Sequence, residues 1–255
     1  MRNRLLQLLA ENRKPFEPVQ SKFVQAKGGE AAIYLYDPIV SDRVTAEWWG
    51  GVCPQDFVPA LRALEADHIT LYTNCPGGDV FAAEAMCQAL REHPAKITMQ
   101  IEGYAASAAT SIACACDEVV ATAASKYMIH QTWCLAVGNA DSLMQTVDLL
   151  RKCDASMFAE YEKRTGQSAE QIIEWCKAET WFTAEEAKQY GFIDSILEAA
   201  PSASAARKWN LSAYANAPAS APEPEPQTEP PETTAYATDE HRARQAQRLQ
   251  LAARI

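Results

Sequence analysis

Short apolar runs at 31–37, 69–73, 97–102, 118–122 and 126–130 alternate along the chain with helical periodicity at 54–66, 79–93, 105–116 and 140–164. Runs of that length, bounded by turn residues, read as buried strands, and their alternation with helical segments predicts α/β layers. In 79–93 the apolar positions include Val80, Ala83, Cys87 and Leu90, and Asp79 stands where an N-cap belongs. The longest helical segment puts Leu143, Val147, Leu150, Met157 and Tyr161 on one stripe that Asp154 interrupts and Gly166 ends. Thr183-Ala-Glu-Glu186 has the form of a capping box and opens a short helix closing near Gly191.

The pattern divides the chain into an N-terminal arm (1–28), a folded body (29–198) and a tail (199–255). With 255 residues and 48% hydrophobic content, the chain can bury one full core plus an appendage. From about 200 to 240, Pro, Ala, Glu, Ser and Thr dominate, as in Ala217-Pro-Ala-Ser-Ala-Pro-Glu-Pro-Glu-Pro-Gln. Such a segment cannot bury enough apolar area to offset its ordering entropy and is expected to be disordered. Residues His241–Ile255 form a basic helix candidate, either a solubilising tail or a docking segment. At the start, Gln7 and Glu11 break the apolar stretch after Met1-Arg-Asn-Arg, which predicts an amphipathic helix and not a signal peptide.

Charge and cysteine usage exclude several classes. A net charge of −10 argues against nonspecific nucleic-acid binding. No apolar run reaches the roughly 18 residues needed to span a membrane. The 8 cysteines form no paired Cys-x-x-Cys set, so neither a metal nor another cofactor is expected, and Cys114-x-Cys116 reads as helix packing. Asn74-Cys-Pro-Gly-Gly-Asp79 lacks the Gly-Lys-Ser/Thr or Gly-x-Gly-x-x-Gly of a phosphate or dinucleotide loop. The expected compartment is the cytoplasm, with reduced thiols.

Candidate chemistry centres on Ser107 in Gly103-Tyr-Ala-Ala-Ser-Ala-Ala and His130 in Met128-Ile-His-Gln131. A serine hydroxyl becomes a useful nucleophile when an imidazole takes its proton. Small residues after Ser107 let a helix start there, and the apolar run before His130 reads as a strand that delivers the ring. His68 and His93 fall at predicted helix ends and His241 in the tail, so they compete poorly. Gly77 and Gly78, at a strand-to-helix turn, leave backbone N–H groups unobstructed, as oxyanion stabilisation requires. Glu179, just ahead of the Thr183 capping box, is the candidate acid to orient the imidazole, with Asp194 and Glu174 as alternatives.

Taken together, Asn74-Cys-Pro-Gly-Gly78, Gly103-Tyr-Ala-Ala-Ser-Ala, Met128-Ile-His-Gln131, Thr165-Gly-Gln167 and Thr183-Ala-Glu-Glu-Ala-Lys-Gln-Tyr-Gly-Phe-Ile-Asp194 resemble the proteolytic subunit of the Clp protease across roughly residues 30 to 198. The resemblance implies a Clp/crotonase superhelix of repeated β-β-α units, with the 140–164 helix as a protruding handle. It implies Ser107 as nucleophile, His130 as base, the N–H groups of Gly77 and Ala108 as oxyanion hole, protein substrates and a homo-oligomeric ring, heptameric or doubled. The chain departs from the family pattern in four places. Glu179 stands where an aspartate is usual and Cys75 where a serine is usual. Thr132-Trp-Cys-Leu-Ala-Val replaces a Pro and paired glycines. The N-terminal region lacks the opening that forms loops for an unfoldase ATPase, which leaves that partner open. Trp48-Trp-Gly-Gly-Val52, Glu179-Thr-Trp181 and the tail look more like the phage branch, whose members act in head maturation on capsid or scaffold precursors.

Three functional classes follow: a serine endopeptidase acting on proteins, a crotonase-type acyl-CoA enzyme, and a non-catalytic assembly protein on the same fold. The Ser107–His130 pair favours the first. With no ATPase segment recognised, co-assembly is the expected route for substrates, and the tail is expected to be a recruiting arm or a self-cleavage substrate.

Overall fold

The computed structural model describes residues 10, 13, 18, 22–25, 28–197, 210–211 and 214–218. Most of the N-terminal arm, the basic C-terminal helix candidate and most of the tail lie outside them. The alternation of buried and open positions in Glu30–Leu35 (β2) and Lys96–Ala106 (β4) is that of strands packed on one face. With Phe23–Gln25 (β1), His68–Cys75 (β3), Glu118–Thr122 (β5), Lys126–Ile129 (β6), Thr180–Thr183 (β7) and Ser195–Leu197 (β8) they form one mixed sheet. Its path runs β1-β2-β3-β4-β5-β8, and β6 branches off β4 to pair with β7. Pairing is parallel except at β1–β2 and β6–β7.

Among the described residues the bounded helices are Arg43–Trp49 (α1), Pro54–Arg62 (α2), Val80–Glu92 (α3), Ala108–Cys114 (α4), Ala140–Thr165 (α5), Ala169–Lys177 (α6) and Ala184–Gln189 (α7). Local signals fix several of their ends. Asp79 accepts from the Ala82 N–H, Thr183 and Glu186 complete a capping box, and Gly166 closes α5 in the left-handed conformation. The core collects Ile33, Leu35, Leu71, Met86, Met99, Ile112, Tyr127, Tyr161 and Phe192.

The branch at β4 positions the site. Thr98–Ile101 pair with β5, whereas Tyr104–Ala106 pair with β6. Gly103 stands at the change of partner, where a Cβ would overlap the Asn74 side-chain amide. The strand therefore runs on through Ala105 and Ala106, where the periodicity predicts helix. Both alanines are fully buried, and alanine suits either state. Strands β3, β4 and β6 end together at Cys75, Ala106 and Ile129, and ligands of parallel α/β sheets bind outside such carboxyl ends.

Two further expectations change. His68 opens β3, and its ring bonds Glu30 Oε2 and Thr98 Oγ1 at 3.1 and 3.0 Å. Within the tail, Leu211 and Tyr214–Pro218 are ordered against the body, with Tyr214 buried.

Among the described residues no helix is long and apolar enough to cross a membrane. Among them, too, no group of three or more His, Cys, Asp or Glu is placed to hold a metal ion.

Four buried thiols make a prediction about alkaline stability. Burial pushes Cys75 and Cys176 up to about 12 and raises Cys87 and Cys116 well above the usual thiol range. The same thiols ionise near about pH 8.5 in an unfolded chain. Above that value the unfolded state binds fewer protons than the native one, so stability falls as pH rises. The contribution is complete below about pH 8.5, and each thiol then costs up to about 1.4 kcal/mol per pH unit until its folded value is reached. Thermal melts followed by circular dichroism should hold level from about pH 7 to 8 and drop steadily above about pH 9. A level midpoint to about pH 11 would refute the burial argument.

Candidate active site

Ser107 is the N-cap of α4 and sits at φ 55, ψ −127. A non-glycine residue at positive φ is a strained turn that surrounding bonds must hold, and it lifts the side chain clear of its neighbours. Here the Ser107 N–H donates to Met128 O at 2.9 Å, and the Thr110 N–H and hydroxyl both donate to Ser107 O at 2.8 and 2.5 Å. Thr110 Oγ1 in turn lies 2.5 Å from the hydroxyl of fully buried Tyr161, which ties the turn to α5.

His130 follows the last residue of β6, and its Nε2 lies 2.7 Å from Ser107 Oγ. The ring is buried. The chain beyond it is fixed by Gln131 N–H to Cys176 O at 3.1 Å and by Asp154 Oδ1, which accepts from both Thr132 N–H and Thr132 Oγ1 at 2.7 Å. Asp154 interrupts the apolar stripe of α5 because it anchors this turn. The rest of the stripe is divided: Met157 and Tyr161 are buried, whereas Leu143 and Val147 are exposed.

Glu179 was expected on a loop leading to a helix. The residues after it form β7 instead, antiparallel to β6 with Ile129 opposite Thr180. One further step along that register brings Glu179 opposite His130. The residue is buried, has φ 50 and accepts the Asn216 N–H on Oε1 at 2.6 Å. Of the alternatives, Asp194 Oδ2 accepts from Val119 N–H and Arg164 Nη2 on the far side of β5, and Glu174 is exposed on α6.

The Pro-Gly-Gly turn packs against the serine. A Cβ on Gly77 (φ 89) would stand 2.5 Å from Ala106 O, 2.7 Å from Ser107 Cβ and 3.0 Å from Ala108 N. The turn therefore packs directly against Ser107 and Ala108 N, and the Gly77 N–H points at Cys75 Sγ at 3.4 Å, a weak acceptor. Cys75, where the family usually has serine, donates its thiol to Asp37 O at 3.0 Å, so the exchange keeps a buried donor. A Cβ on Gly78 would overlap the Ile39 carbonyl, because Ile39 is hydrogen-bonded to the turn on both sides. Ile39 is itself bridged to Val52, and Gly51 lies against Pro38 O. Trp48-Trp-Gly-Gly-Val52 thus ends in a buttress for the turn.

Gly77→Ala should consequently lower kcat/KM by about 10²–10³, the usual loss when one oxyanion donor is disturbed. Strain at positive φ should add a stability cost on the order of 1–3 kcal/mol. Steady-state peptide hydrolysis and thermal melts measure the two effects, and unchanged activity would clear the turn of any role.

The sequence reading missed Tyr214 and Asn216. The Tyr214 hydroxyl donates to Pro76 O at 2.5 Å and its ring stands edge-on to His130, centroids 5.6 Å apart. The available signal was the shift in composition inside the tail. Lys208-Trp-Asn-Leu-Ser-Ala-Tyr214 has two aromatics and no proline, unlike the Pro/Glu-rich stretch after it.

A serine and a histidine in bonding contact at the carboxyl ends of parallel strands is the arrangement that serine hydrolases use. The family model of the Clp protease matches residues 39–200, and the chain belongs to that family. Among its relatives is the ATP-dependent Clp protease proteolytic subunit 2 of Thermobifida fusca (strain YX), 33% identical over 198 residues, covering 76% of this chain and 93% of that protein. The ATP-dependent Clp protease proteolytic subunit 1 of Bacillus cereus (strain ATCC 10987 / NRS 248) is 30% identical over 182 residues, 68% of this chain and 94% of the relative. Subunit 3 of Rhodococcus jostii (strain RHA1) is 31% identical over 145 residues, 54% and 72% of the two chains. The mixed α/β sheet is consistent with this family's fold.

Proposed function

We propose that the chain is a serine endopeptidase that cuts proteins through an acyl-enzyme. The observation that carries this reading is the 2.7 Å contact between His130 Nε2 and Ser107 Oγ at a strained turn. Ser107 Oγ attacks the scissile carbonyl while His130 Nε2 takes its proton. His130 then gives that proton to the departing amine, and a water activated by the same ring releases the acyl group. The carbonyl oxygen, negative in the intermediate, is received by the N–H groups of Gly77 and Ala108. Glu179 holds the imidazole in the tautomer whose Nε2 can accept. An acyl-CoA enzyme of this fold would need no Ser–His contact, and an assembly protein would need no strained serine, so both alternatives are disfavoured.

The resemblance supports a ring of copies, heptameric or doubled, and the exposed Leu143, Met144, Val147 and Leu149 on α5 offer a surface for a second copy. Two settings fit such a chamber. The relatives' names support ATP-dependent proteolysis fed by an unfoldase. Trp48-Trp-Gly-Gly-Val52 and the tail support head maturation on capsid or scaffold precursors, the setting we propose. Cleavage of a coat-protein precursor without any ATPase is its expected result, and cleavage only with an ATPase and ATP would overturn it.

Fluorophosphonate labelling followed by peptide mapping tests the chemistry itself. The adduct is expected on Ser107 alone. Labelling of another serine, or of none, would remove the peptidase reading.

A further inference from the structure

Leu211 and Tyr214–Pro218 lie across the mouth of the site just described. The Tyr214 N–H closes a turn on Leu211 O at 2.9 Å, and the ring enters a seat of Ala106, Met128, Tyr104 and Trp181, where it is 5% exposed. Its centroid is 6.0 Å from that of Trp181 and 5.6 Å from the His130 ring, both nearly perpendicular. The hydroxyl donates to Pro76 O, next to Gly77. Two residues on, the Asn216 N–H donates to Glu179 Oε1 at 2.6 Å and Asn216 Nδ2 to Ala178 O at 2.7 Å. One strap thus touches the histidine, the acid and the turn at Gly77 together.

We infer that Tyr214–Pro218 is a built-in blocking segment: Tyr214 occupies the place of a substrate side chain beside the Ser107–His130 pair, and a substrate must displace the strap before it can be cut. The inference rests on the peptidase reading of the site. The group set against the Ser107–His130 pair is a phenol, not a peptide carbonyl, so the strap as seated covers the pair without offering it a bond to break. Among the described residues its anchors are spread over two hydrogen-bonding residues and one aromatic ring, with no covalent or ionic tie. That is the strength expected of a cover that yields to a competing peptide. The seat between Met128 and Trp181 accepts a tyrosine ring, so the displacing substrates are peptides with an aromatic side chain at that position.

The test uses the full chain and a small fluorophosphonate, with the labelling rate of wild type compared with Tyr214→Ala and Asn216→Pro. The second variant removes the N–H that Glu179 accepts and leaves the ring in place. A strap seated about nine-tenths of the time lowers the competent fraction tenfold, so Tyr214→Ala should label about tenfold faster, and Asn216→Pro should move in the same direction. Hydrogen exchange should show the Tyr214 and Asn216 amides protected in wild type, with the amide at 214 fast in both variants and that at 216 fast in Tyr214→Ala. Equal labelling rates would overturn the inference, as would slower labelling in the variants, which would make the strap part of the working site. Absence of labelling in all three proteins would instead overturn the peptidase reading, and the inference with it.

Discussion

Ser107→Ala is expected to abolish fluorophosphonate labelling and to lower kcat for peptide hydrolysis by about 10⁶, the loss seen when a triad nucleophile is removed. What remains should be catalysis on the order of 10³–10⁴ over water, from binding and oxyanion stabilisation. The fold should survive, because the turn is held by backbone groups that the substitution leaves in place. The Ser107 N–H still reaches Met128 O, and Ser107 O still accepts from Thr110. Alanine at φ 55 bears much the same strain as serine, so the thermal midpoint should move little. The pair of measurements is what decides: activity lost with the midpoint kept assigns the chemistry to Oγ, and full activity in the variant would end the assignment.

The site was legible in sequence where its signals are local. Asp79, the Thr183–Glu186 box and Gly166 each fix a helix end through bonds within a few residues, so the order of elements around the site could be read directly. Ser107 and His130 could be picked out because small residues follow one and a buried strand precedes the other. What escaped depends on contacts between distant segments. Thr180–Thr183 is too short to show a period, and only pairing with β6 makes it a strand. Asp154 reads as a flaw in a stripe until Thr132, 22 residues away, is seen bound to it. The strap sits in a polar tail, and nothing nearby in sequence indicates that Tyr214 bonds Pro76 O and packs on His130. Ala105 and Ala106 read as helix because alanine carries almost no strand signal, and the branch at Gly103 that extends β4 is a tertiary event.

Glu179→Gln should lower kcat/KM steeply, by up to about 10⁴, because an amide can settle the imidazole in the tautomer that cannot accept the serine proton. Register supports the pairing: β6 and β7 run antiparallel with Ile129 opposite Thr180, and continuing that register by one position would set His130 opposite Glu179. The longer side chain starts from φ 50, and its N–H is held by Cys176 O at 3.2 Å, so its backbone is fixed where it enters β7. Glutamine is of the same size and keeps an Oε1 that can still accept the Asn216 N–H. The thermal midpoint should therefore stay within a few degrees, as it does for changes below about 1 kcal/mol in a domain of this size. Because the role is one of orientation, the loss should fall on kcat with KM little changed, and Glu179→Asp should recover part of it. Wild-type turnover in Glu179→Gln would move the role elsewhere. Neither alternative is well placed to take it: Asp194 already accepts from Val119 N–H and Arg164, and Glu174 is exposed on α6. Such a result would mean that Ser107 and His130 act as a dyad, with the backbone bonds of Gln131 and Thr132 fixing the chain beyond the ring.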